Sequence, residues 1–332
     1  MYQVFSPTTT YNAGLGTDRP LDVAQALSFL ERIDQLTYKV GLGKLIPSTS
    51  DIRLEDGRLM LGETGITKEG AQMLCPSAIA MARRADDPRA YVDALQFAHR
   101  YGLIQEDAQA VVMRNPNEDG RPNKIEAFQR NTYGSITNHA AFNMAGMELA
   151  GKGMALKRLQ LVGRKMLAEY QQRDEKSIEI AVGDVVGAGV SVLNSEDGTA
   201  AFSMQAMLLR LACSNGMVLP RNFFDVRAIH RKNVLSTIRT KLDRVGGLDL
   251  GGVIDLVRNS TSKVWEPARH NPLFAEAYGL ADPRPMLEAA KVDTVFKGWN
   301  LINDFNTLRS AGVEVRRQRE ASSYTFLDRA MA

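Results

Sequence analysis

Cysteine and histidine are scarce in this sequence of 332 residues. The two cysteines, Cys75 and Cys213, lie far apart, and neither has a second cysteine or a histidine at the spacing of a metal site. The sequence therefore favours reduced, buried thiols over a disulfide framework or a zinc centre. The four histidines also occur singly along the chain, at His99, His139, His230 and His270. We expect no bound metal and no cofactor.

Long apolar runs are absent as well. No stretch approaches the roughly 18 apolar residues of a membrane span, so we expect no membrane association. The first residues lack the basic and apolar segments of a secretory signal, which favours a cytoplasmic protein. With 44% hydrophobic and 24% charged residues, the composition is typical of a globular chain that is long enough for one large domain or two ordinary ones.

The motifs of common catalytic sites are also missing. The glycine- and lysine-containing runs at 41–44 and 151–153 do not fit the phosphate-binding loop of ATPases, and the run from Gly183 lacks the third glycine of a dinucleotide fingerprint. The adjacent acids Glu196 and Asp197 lie in a predicted turn, where such side chains usually face solvent or cap the chain. We expect no catalytic residues and no enzymatic activity.

Positive charge is concentrated in one part of the chain. Residues 1–150 carry 15 Lys and Arg against 18 Asp and Glu, whereas the remainder carries 26 against 20. Residues 221–244 alone carry seven Lys and Arg against two Asp. A basic window of this kind is the electrostatic pattern of a nucleic-acid-binding surface, and its alternative is a solvated helix face.

The first part of the chain, 1–105, is predicted to be a mainly helical N-terminal region. Apolar residues at helical spacing predict a helix within 21–41 that ends at Gly41. A Glu-Asp-Gly turn predicts a hairpin within 51–65, and Thr67 is the expected cap of the helix that follows it.

Residues 106–332 are predicted to form an α+β core domain with a helical C-terminal tail. A strand is expected at 108–113, a helix from the N-cap Asn138, and a second helix with a basic face at 156–175. Three strands within 177–203 precede a helix over 204–212 that ends at Asn215 and Gly216. The predicted fold class is α+β, with an antiparallel sheet and a β-β-β-α core flanked by helices.

The candidate nucleic-acid-binding residues lie on two predicted basic elements, the helix at 156–175 and the segment 221–244. The aromatic residues Phe223 and Phe224 offer stacking surfaces beside the second segment. The candidates are Lys157, Arg158, Arg164, Lys165, Arg221, Arg227, Arg231, Lys232, Arg239, Lys241 and Arg244. By contrast, Arg210 lies in an apolar stretch, where an unpaired charge would be costly, so we expect it to pair with Glu196 or Asp197.

Two stretches resemble the domain-of-unknown-function 932 family of phages, plasmids and other mobile elements. The first is a tyrosine followed by an asparagine and a helix, and the second is an Asn-Ser-Glu turn followed by an Arg-Leu, Cys and Asn-Gly run. The similarity covers most of residues 60–320. The matching residues are Tyr133, Asn138, Asn194, Ser195, Glu196, Gly198, Arg210, Leu211, Cys213, Asn215 and Gly216.

This resemblance implies a setting in mobile-element replication or recombination. The predicted core is also more loosely similar to single-strand annealing proteins, which implies single-stranded DNA as partner, a homo-oligomer, and contacts with phage or host recombination proteins. We therefore expect a protein that binds or anneals single-stranded DNA. Two alternatives stay open, a structural or host-interaction protein without catalytic activity and an enzyme whose site is assembled from dispersed residues.

Overall fold

The computed structural model describes most of the chain, and every structural statement below concerns that part. The described residues are 10–13, 21–85, 87–105, 107–115, 121–130, 133–134, 136–172, 178–181, 184–210, 215–218, 225–231, 233–243, 251–302 and 313–332. Within them the chain combines helices with two mainly antiparallel sheets, so the predicted α+β class is confirmed. No described helix has the length and apolar character needed to cross a bilayer.

The described residues contain twelve α-helices and one short 3-10 helix at Thr49–Asp51. The α-helices are α1 (Val23–Leu36), α2 (Leu42–Leu45), α3 (Lys68–Leu74), α4 (Pro76–Ala85), α5 (Pro88–Arg100), α6 (Asn138–Gly151), α7 (Val234–Asp243), α8 (Gly251–Ser260), α9 (Pro267–Tyr278), α10 (Arg284–Ala289), α11 (Val295–Ile302) and α12 (Val313–Met331).

Fourteen strands lie in the same part of the chain. They are β1 (Thr10–Ala13), β2 (Thr37–Gly41), β3 (Ile52–Glu55), β4 (Arg58–Leu61), β5 (Thr64–Ile66), β6 (Gln109–Met113), β7 (Lys124–Gln129), β8 (Met154–Val162), β9 (Lys165–Gln172), β10 (Ile178–Ala181), β11 (Asp184–Ser195), β12 (Phe202–Arg210), β13 (Asn215–Val218) and β14 (Asp225–Ala228).

Eight of these strands form the larger sheet, in which every neighbouring pair is antiparallel. Its order is β1-β8-β9-β11-β12-β13, with β10 added beside β11 and β14 beside β12. Helices α1 and α6 pack together, and α6 lies across β8, β9 and β11. The apolar side chains of this face, including Phe142, Tyr170 and Phe202, are buried in one large core that also includes the C-terminal helices.

The remaining six strands form a second sheet in the order β2-β6-β7-β5-β4-β3. The pair β5–β7 is parallel and the other pairs are antiparallel. This sheet has its own core, which is covered by α3, α4 and α5. Since β6 and β7 pair with strands from before residue 67, the sheet spans the position after residue 105 where the domain boundary was predicted.

The basic helix predicted at 156–175 is wrong, because its described residues, 156–172, belong to the hairpin β8–β9. A register shift between Leu156 and Arg158 places a bulge in β8. With one extra residue there, Leu156 and Leu159 both contribute to the large core although they are three residues apart. The bulge therefore reproduces the spacing of a helical face within a strand.

The helix predicted at 204–212 is also wrong where the chain is described, because Phe202–Arg210 is the strand β12. Met204, Ala206 and Leu208 enter the large core, while Met207 is buried although it alternates with them. A strand buried on both faces loses its alternating pattern, so its apolar run imitates a helix. The expected helix C-cap at 215–216 lies instead in β13.

Shorter predictions near the N-terminus are mostly confirmed. The hairpin β3–β4 forms around Asp56 and Gly57, and the Thr67 side chain caps α3 by accepting from the Gly70 amide. By contrast, α1 ends at Leu36 and β2 continues to Gly41. The cap of α6 is Thr137, one residue before the predicted Asn138.

Candidate nucleic-acid interface

The Asn-Ser-Glu-Asp-Gly stretch contains the last two residues of β11 and the turn that follows the strand from Glu196. The Asp197 carboxylate accepts hydrogen bonds from the Ser195 hydroxyl, the Thr199 amide (2.9 Å) and the Thr199 hydroxyl (2.6 Å). Gly198 has φ +81°, a left-handed conformation that glycine adopts without a Cβ penalty. The turn thus has a fixed shape, with Asp197 as its internal cap.

Next to Asp197, the Glu196 side chain is buried and forms an ion pair with Arg164. Its carboxylate accepts hydrogen bonds from the Arg164 guanidinium and from the Asn138 backbone amide. Arg164 also donates to the Thr37 hydroxyl over 3.0 Å and lies 3.6 Å from the Glu126 carboxylate. Because Thr37 and Glu126 belong to the smaller sheet, this network ties the turn to both sheets and to the start of α6.

Two asparagines of the family motif complete the same network. The Asn194 side-chain amide donates to the Ile136 carbonyl (3.1 Å) and to the Asn138 side chain (2.9 Å). The Asn138 side-chain amide in turn donates to the Arg164 backbone carbonyl over 3.1 Å. These bonds fix the entry of α6 against the turn, so the asparagines have a structural role here.

An open cleft of about 970 Å³ lies beside the turn. Its walls come from the end of β7, Arg130, Tyr133, the turn, the end of β14 and the start of α7. The lining residues are Phe128, Gln129, Arg130, Tyr133, Asp197, Gly198, Arg227, Ala228, Ile229, His230, Arg231, Asn233, Val234 and Thr237. The fold therefore joins the family motif to part of the basic window.

A stacked pair of rings, Tyr133 and His230, forms the floor of the cleft. The ring centroids are 5.1 Å apart with an interplanar angle of 25°. The Tyr133 hydroxyl donates to the Ser195 carbonyl over 3.0 Å, which attaches the pair to the turn. Burial raises the pKa of Tyr133, and the Asp197 charge adds to the rise, so this phenol stays protonated.

His230 is only 5% exposed, and its ring lies beside the backbone of Gly134 and Ala200. Burial lowers the pKa of His230, while nearby backbone groups of Gly134 and Ala200 and the Asp197 carboxylate oppose the shift. The imidazole is therefore neutral at pH 7. It brings a buried donor and a buried acceptor to the cleft without a charge.

Three exposed arginines surround these rings. Arg130 follows β7, Arg227 lies on β14, and Arg231 precedes α7. With Asp197 as the carboxylate among the lining residues and a neutral His230, the cleft carries a net charge of +2. This arrangement attracts anions, and the partly exposed Tyr133 ring and the exposed Ile229 side chain add an apolar surface.

The structure separates the predicted basic residues into groups. Lys157, Arg158 and Arg164 are buried, and Lys165 is half-buried. Arg158 pairs with Glu169, and both side chains are only 1% exposed. Because this stretch is a hairpin within a covered sheet and not a surface helix, these residues do not extend the basic surface as predicted.

Of the second predicted group, Arg227 and Arg231 line the cleft, and Arg239 is exposed on α7 without being among its lining residues. Arg221, Lys232, Arg244, Phe223, Phe224 and Cys213 lie outside the described residues. The side chains of Lys241 and Arg210 lie outside them as well, so the predicted pairing of Arg210 is not addressed. Glu196, one of its two predicted partners, pairs with Arg164.

Sequence reasoning missed Gln129, Arg130 and His230 as parts of this site. His230 is one of four isolated histidines, and nothing in the sequence distinguishes it from the others. The one available signal is the alternation along β14 and beyond, where Val226, Ala228 and His230 are buried between exposed neighbours. Within the described residues, no group of three or more His, Cys, Asp or Glu side chains is arranged to hold a metal.

One segment of the chain matches a family model. Residues 127–246 match the model of a family described as Domain of unknown function (DUF932), which confirms the resemblance over that segment. No curated protein and no solved structure matches the chain. The matched segment contains the turn, both rings of the stacked pair and all three cleft arginines.

Proposed function

We propose that this protein, whose residues 127–246 match the DUF932 family, binds single-stranded DNA in the cleft. The family resemblance to mobile-element proteins supports a role in replication or recombination of such an element. In this proposal the protein acts without hydrolysing its ligand, and annealing of complementary strands is its outcome.

The observation that supports the proposal is the combination of three arginines with a stacked ring pair in one cleft. Arginines bind backbone phosphates regardless of sequence. Aromatic rings stack on bases and are equally tolerant of sequence, with about 1–3 kcal/mol per stacked base. A positively charged groove that contains such rings is the usual arrangement of single-strand binding proteins.

The geometry favours a single strand over a duplex. Bases in a duplex are already paired and stacked, so they do not present their faces to Tyr133. A single strand turns its bases outward at little cost. A cleft of about 970 Å³ has the size of a site for small ligands, which suits one or two unstacked nucleotides.

The test is fluorescence anisotropy with labelled single-stranded DNA, duplex DNA and single-stranded RNA at several salt concentrations. We expect the single strand to bind more tightly than the duplex, with an affinity that falls steeply as salt rises. Arg231→Glu lowers the affinity by at least ~10-fold, because it replaces a cleft cation by an anion.

The matched control is Arg239→Glu, which makes the same change on the same basic segment outside the cleft lining. If both variants lose affinity equally, the basic segment acts as a diffuse surface and the cleft is not the site. If the wild-type protein binds none of the nucleic acids at low salt, the proposal is wrong and the structural or host-interaction role takes its place. The rate at which complementary strands pair tests annealing separately.

A further inference from the structure

We infer that the turn side of the cleft selects nucleobases that carry an amino group. The inference rests on the proposed function and names the chemical class of base that the cleft holds. Adenine, cytosine and guanine belong to this class, whereas thymine and uracil do not. The inference depends on two acceptor oxygens that lie beside Tyr133, one from Gln129 and one from Asp197.

The first acceptor is the side-chain oxygen of Gln129, at the end of β7. The side-chain N–H of Gln129 donates to the Glu196 backbone carbonyl, which fixes that side of the amide toward the turn. The oxygen on the other side, Oε1, has no hydrogen-bond partner among the described residues, although Gln129 lines the cleft and is more than nine-tenths buried. Buried polar atoms are nearly always paired in native proteins, so this oxygen indicates a missing donor.

The second acceptor is the carboxylate oxygen Oδ2 of Asp197. The three hydrogen bonds from Ser195 and Thr199 all fall on the other oxygen, Oδ1, and no described residue donates to Oδ2. Asp197 also lines the cleft. The Glu196 carbonyl that holds Gln129 belongs to the peptide bond between Glu196 and Asp197, so both acceptors are held at one peptide unit of the turn.

Tyr133 places a base beside these acceptors. Its hydroxyl donates to the Ser195 carbonyl over 3.0 Å, two residues before Asp197. Tyr133 is half-buried and lines the same cleft. One turn therefore holds both the ring on which a base stacks and the acceptors at the edge of that base. Proteins read unstacked bases by this combination of stacking and edge hydrogen bonds.

Two acceptors held together suit the amino group of a base. An exocyclic amino group has two N–H donors, and a carboxylate is a usual partner of the cytosine amino group. Thymine and uracil have a carbonyl oxygen at that position, which repels both acceptors, and their ring N–H lies between two carbonyl oxygens. Such a base leaves the two protein oxygens unpaired, so it is disfavoured by this penalty as well as by the missing bonds.

The test compares single-stranded homopolymers of deoxycytidine and deoxyuridine, which have the same backbone and differ in the amino group. Their affinities are measured by competition against a labelled strand at constant salt and slightly alkaline pH, where cytosine strands do not self-associate. We expect the cytosine strand to bind at least ~5-fold more tightly, because a hydrogen bond to a charged group is stronger than a neutral one. A third strand, of N4,N4-dimethylcytosine, keeps the ring without the N–H donors, and we expect it to bind no better than the uracil strand.

Variants locate the site through the ratio of cytosine affinity to uracil affinity, in which a change of overall charge cancels. Asp197→Asn keeps one oxygen for the Thr199 amide but presents N–H groups in place of Oδ2, so the ratio falls several-fold. Gln129→Met removes the amide oxygen and lowers the ratio as well. The matched control is Gln109→Met, at the residue opposite Gln129 on β6 and outside the cleft lining, and it leaves the ratio unchanged.

The outcomes separate this inference from the proposed function. Equal affinity for the cytosine and uracil strands overturns the inference and leaves the proposed function standing. A dimethylcytosine strand that binds as tightly as cytosine overturns it too, and this comparison uses the wild-type protein, so it holds even if both variants fail to fold. A preference for cytosine that persists in both folded variants also overturns it, because the base is then read elsewhere. Failure of every strand to bind overturns the proposed function itself.

Discussion

Two groups of arginines in this protein look alike in the sequence and differ completely in the fold. Arg158 and Arg164 belong to the hairpin β8–β9, are almost fully buried and pair with Glu169 and Glu196. Arg227 lies on β14 of the same larger sheet, and Arg231 follows that strand. Both residues are exposed and line the cleft. The comparison shows that the burial of an arginine decides whether it forms an internal ion pair or contributes to a charged surface. The sequence alone does not reveal which arginines are buried.

The two groups also differ in their electrostatics. Burial lowers the pKa of the Arg164 guanidinium, and the carboxylates of Glu126, Asp34 and Asp197 oppose that shift. The pairing thus offsets a large desolvation cost and makes the hairpin part of the interface between the two sheets. The cleft arginines are exposed instead, and charges at the surface produce the long-range field that steers a charged ligand toward a protein.

Arg164→Met tests the buried side of the comparison and has the largest expected effect. It leaves the Glu196 and Glu126 carboxylates in the interior without their shared cation. Breaking a buried pair in this way costs about 3–5 kcal/mol, which we expect to see as a lower urea midpoint of unfolding. The same change at the cleft, Arg231→Met, alters stability by less than about 0.5 kcal/mol. Similar losses in both variants would remove the distinction between the groups.

Gly198→Ala acts on the turn that joins the two groups and has the next largest effect. Gly198 has φ +81°, and an added Cβ would lie 3.4 Å from the Tyr133 ring. We expect a loss of about 1–2 kcal/mol in the free energy of unfolding, because alanine is strained at this positive φ. We also expect weaker DNA binding, because the turn that relaxes this strain holds the Tyr133 hydroxyl.

The matched control for this variant is Gly252→Ala. Gly252 lies in α8, and a Cβ added there would have no other atom within 4 Å. In a helix, alanine is favoured over glycine, so this variant keeps or slightly raises stability. If Gly198→Ala is as stable as the wild type and binds DNA equally well, the turn does not support the cleft.

The turns and caps of this fold follow from local sequence, whereas its central strands do not. The Asp56-Gly57 turn and the Thr67 cap depend on neighbouring residues alone, so their chemistry is visible in the sequence. β8 and β12 depend on what covers both of their faces. The bulge at Leu156 and the two-sided burial of β12 each create helical spacing within a strand, and only the tertiary structure reveals it.

Only some residues of the cleft could be predicted from the sequence. Charge density identified Arg227 and Arg231, and the family motif identified Tyr133 and Gly198 without indicating that they meet the arginines. Their meeting depends on the pairing of β12 with β14, which brings residue 228 beside residue 202. Local sequence patterns do not indicate which distant strands pair, so the sequence could not show that these residues meet.

His230 provides a smaller, pH-dependent test of the cleft side. Burial holds the pKa of His230 below its usual value of 6.5, so the unfolded state binds the proton more readily than the native state. Stability is therefore fully present above pH 6.5 and declines as pH falls through the lowered pKa. The pKa of His270 is lowered as well, so the wild-type profile contains both contributions.

The measurement is the urea midpoint of unfolding between pH 8 and pH 5 for the wild type and His230→Phe. The variant loses one of the two contributions, so its stability declines less over this range. A matched control is His139→Phe, at a half-exposed position on α6. Identical pH profiles for the wild type and His230→Phe would show that the imidazole titrates alike in the native and unfolded states.

Arg329→Gln tests whether exposure alone makes an arginine functional, and its expected effects are the smallest. Arg329 lies on α12, is half-exposed and pairs with Glu276 over 2.8 Å. An exposed pair of this kind contributes about 0–1 kcal/mol, so the urea midpoint changes little. DNA affinity stays within about 2-fold of the wild type, since one distant charge contributes little at physiological salt. A loss of affinity comparable to that of Arg231→Glu would mean that DNA contacts the C-terminal helices as well, and the cleft would be one part of a longer path.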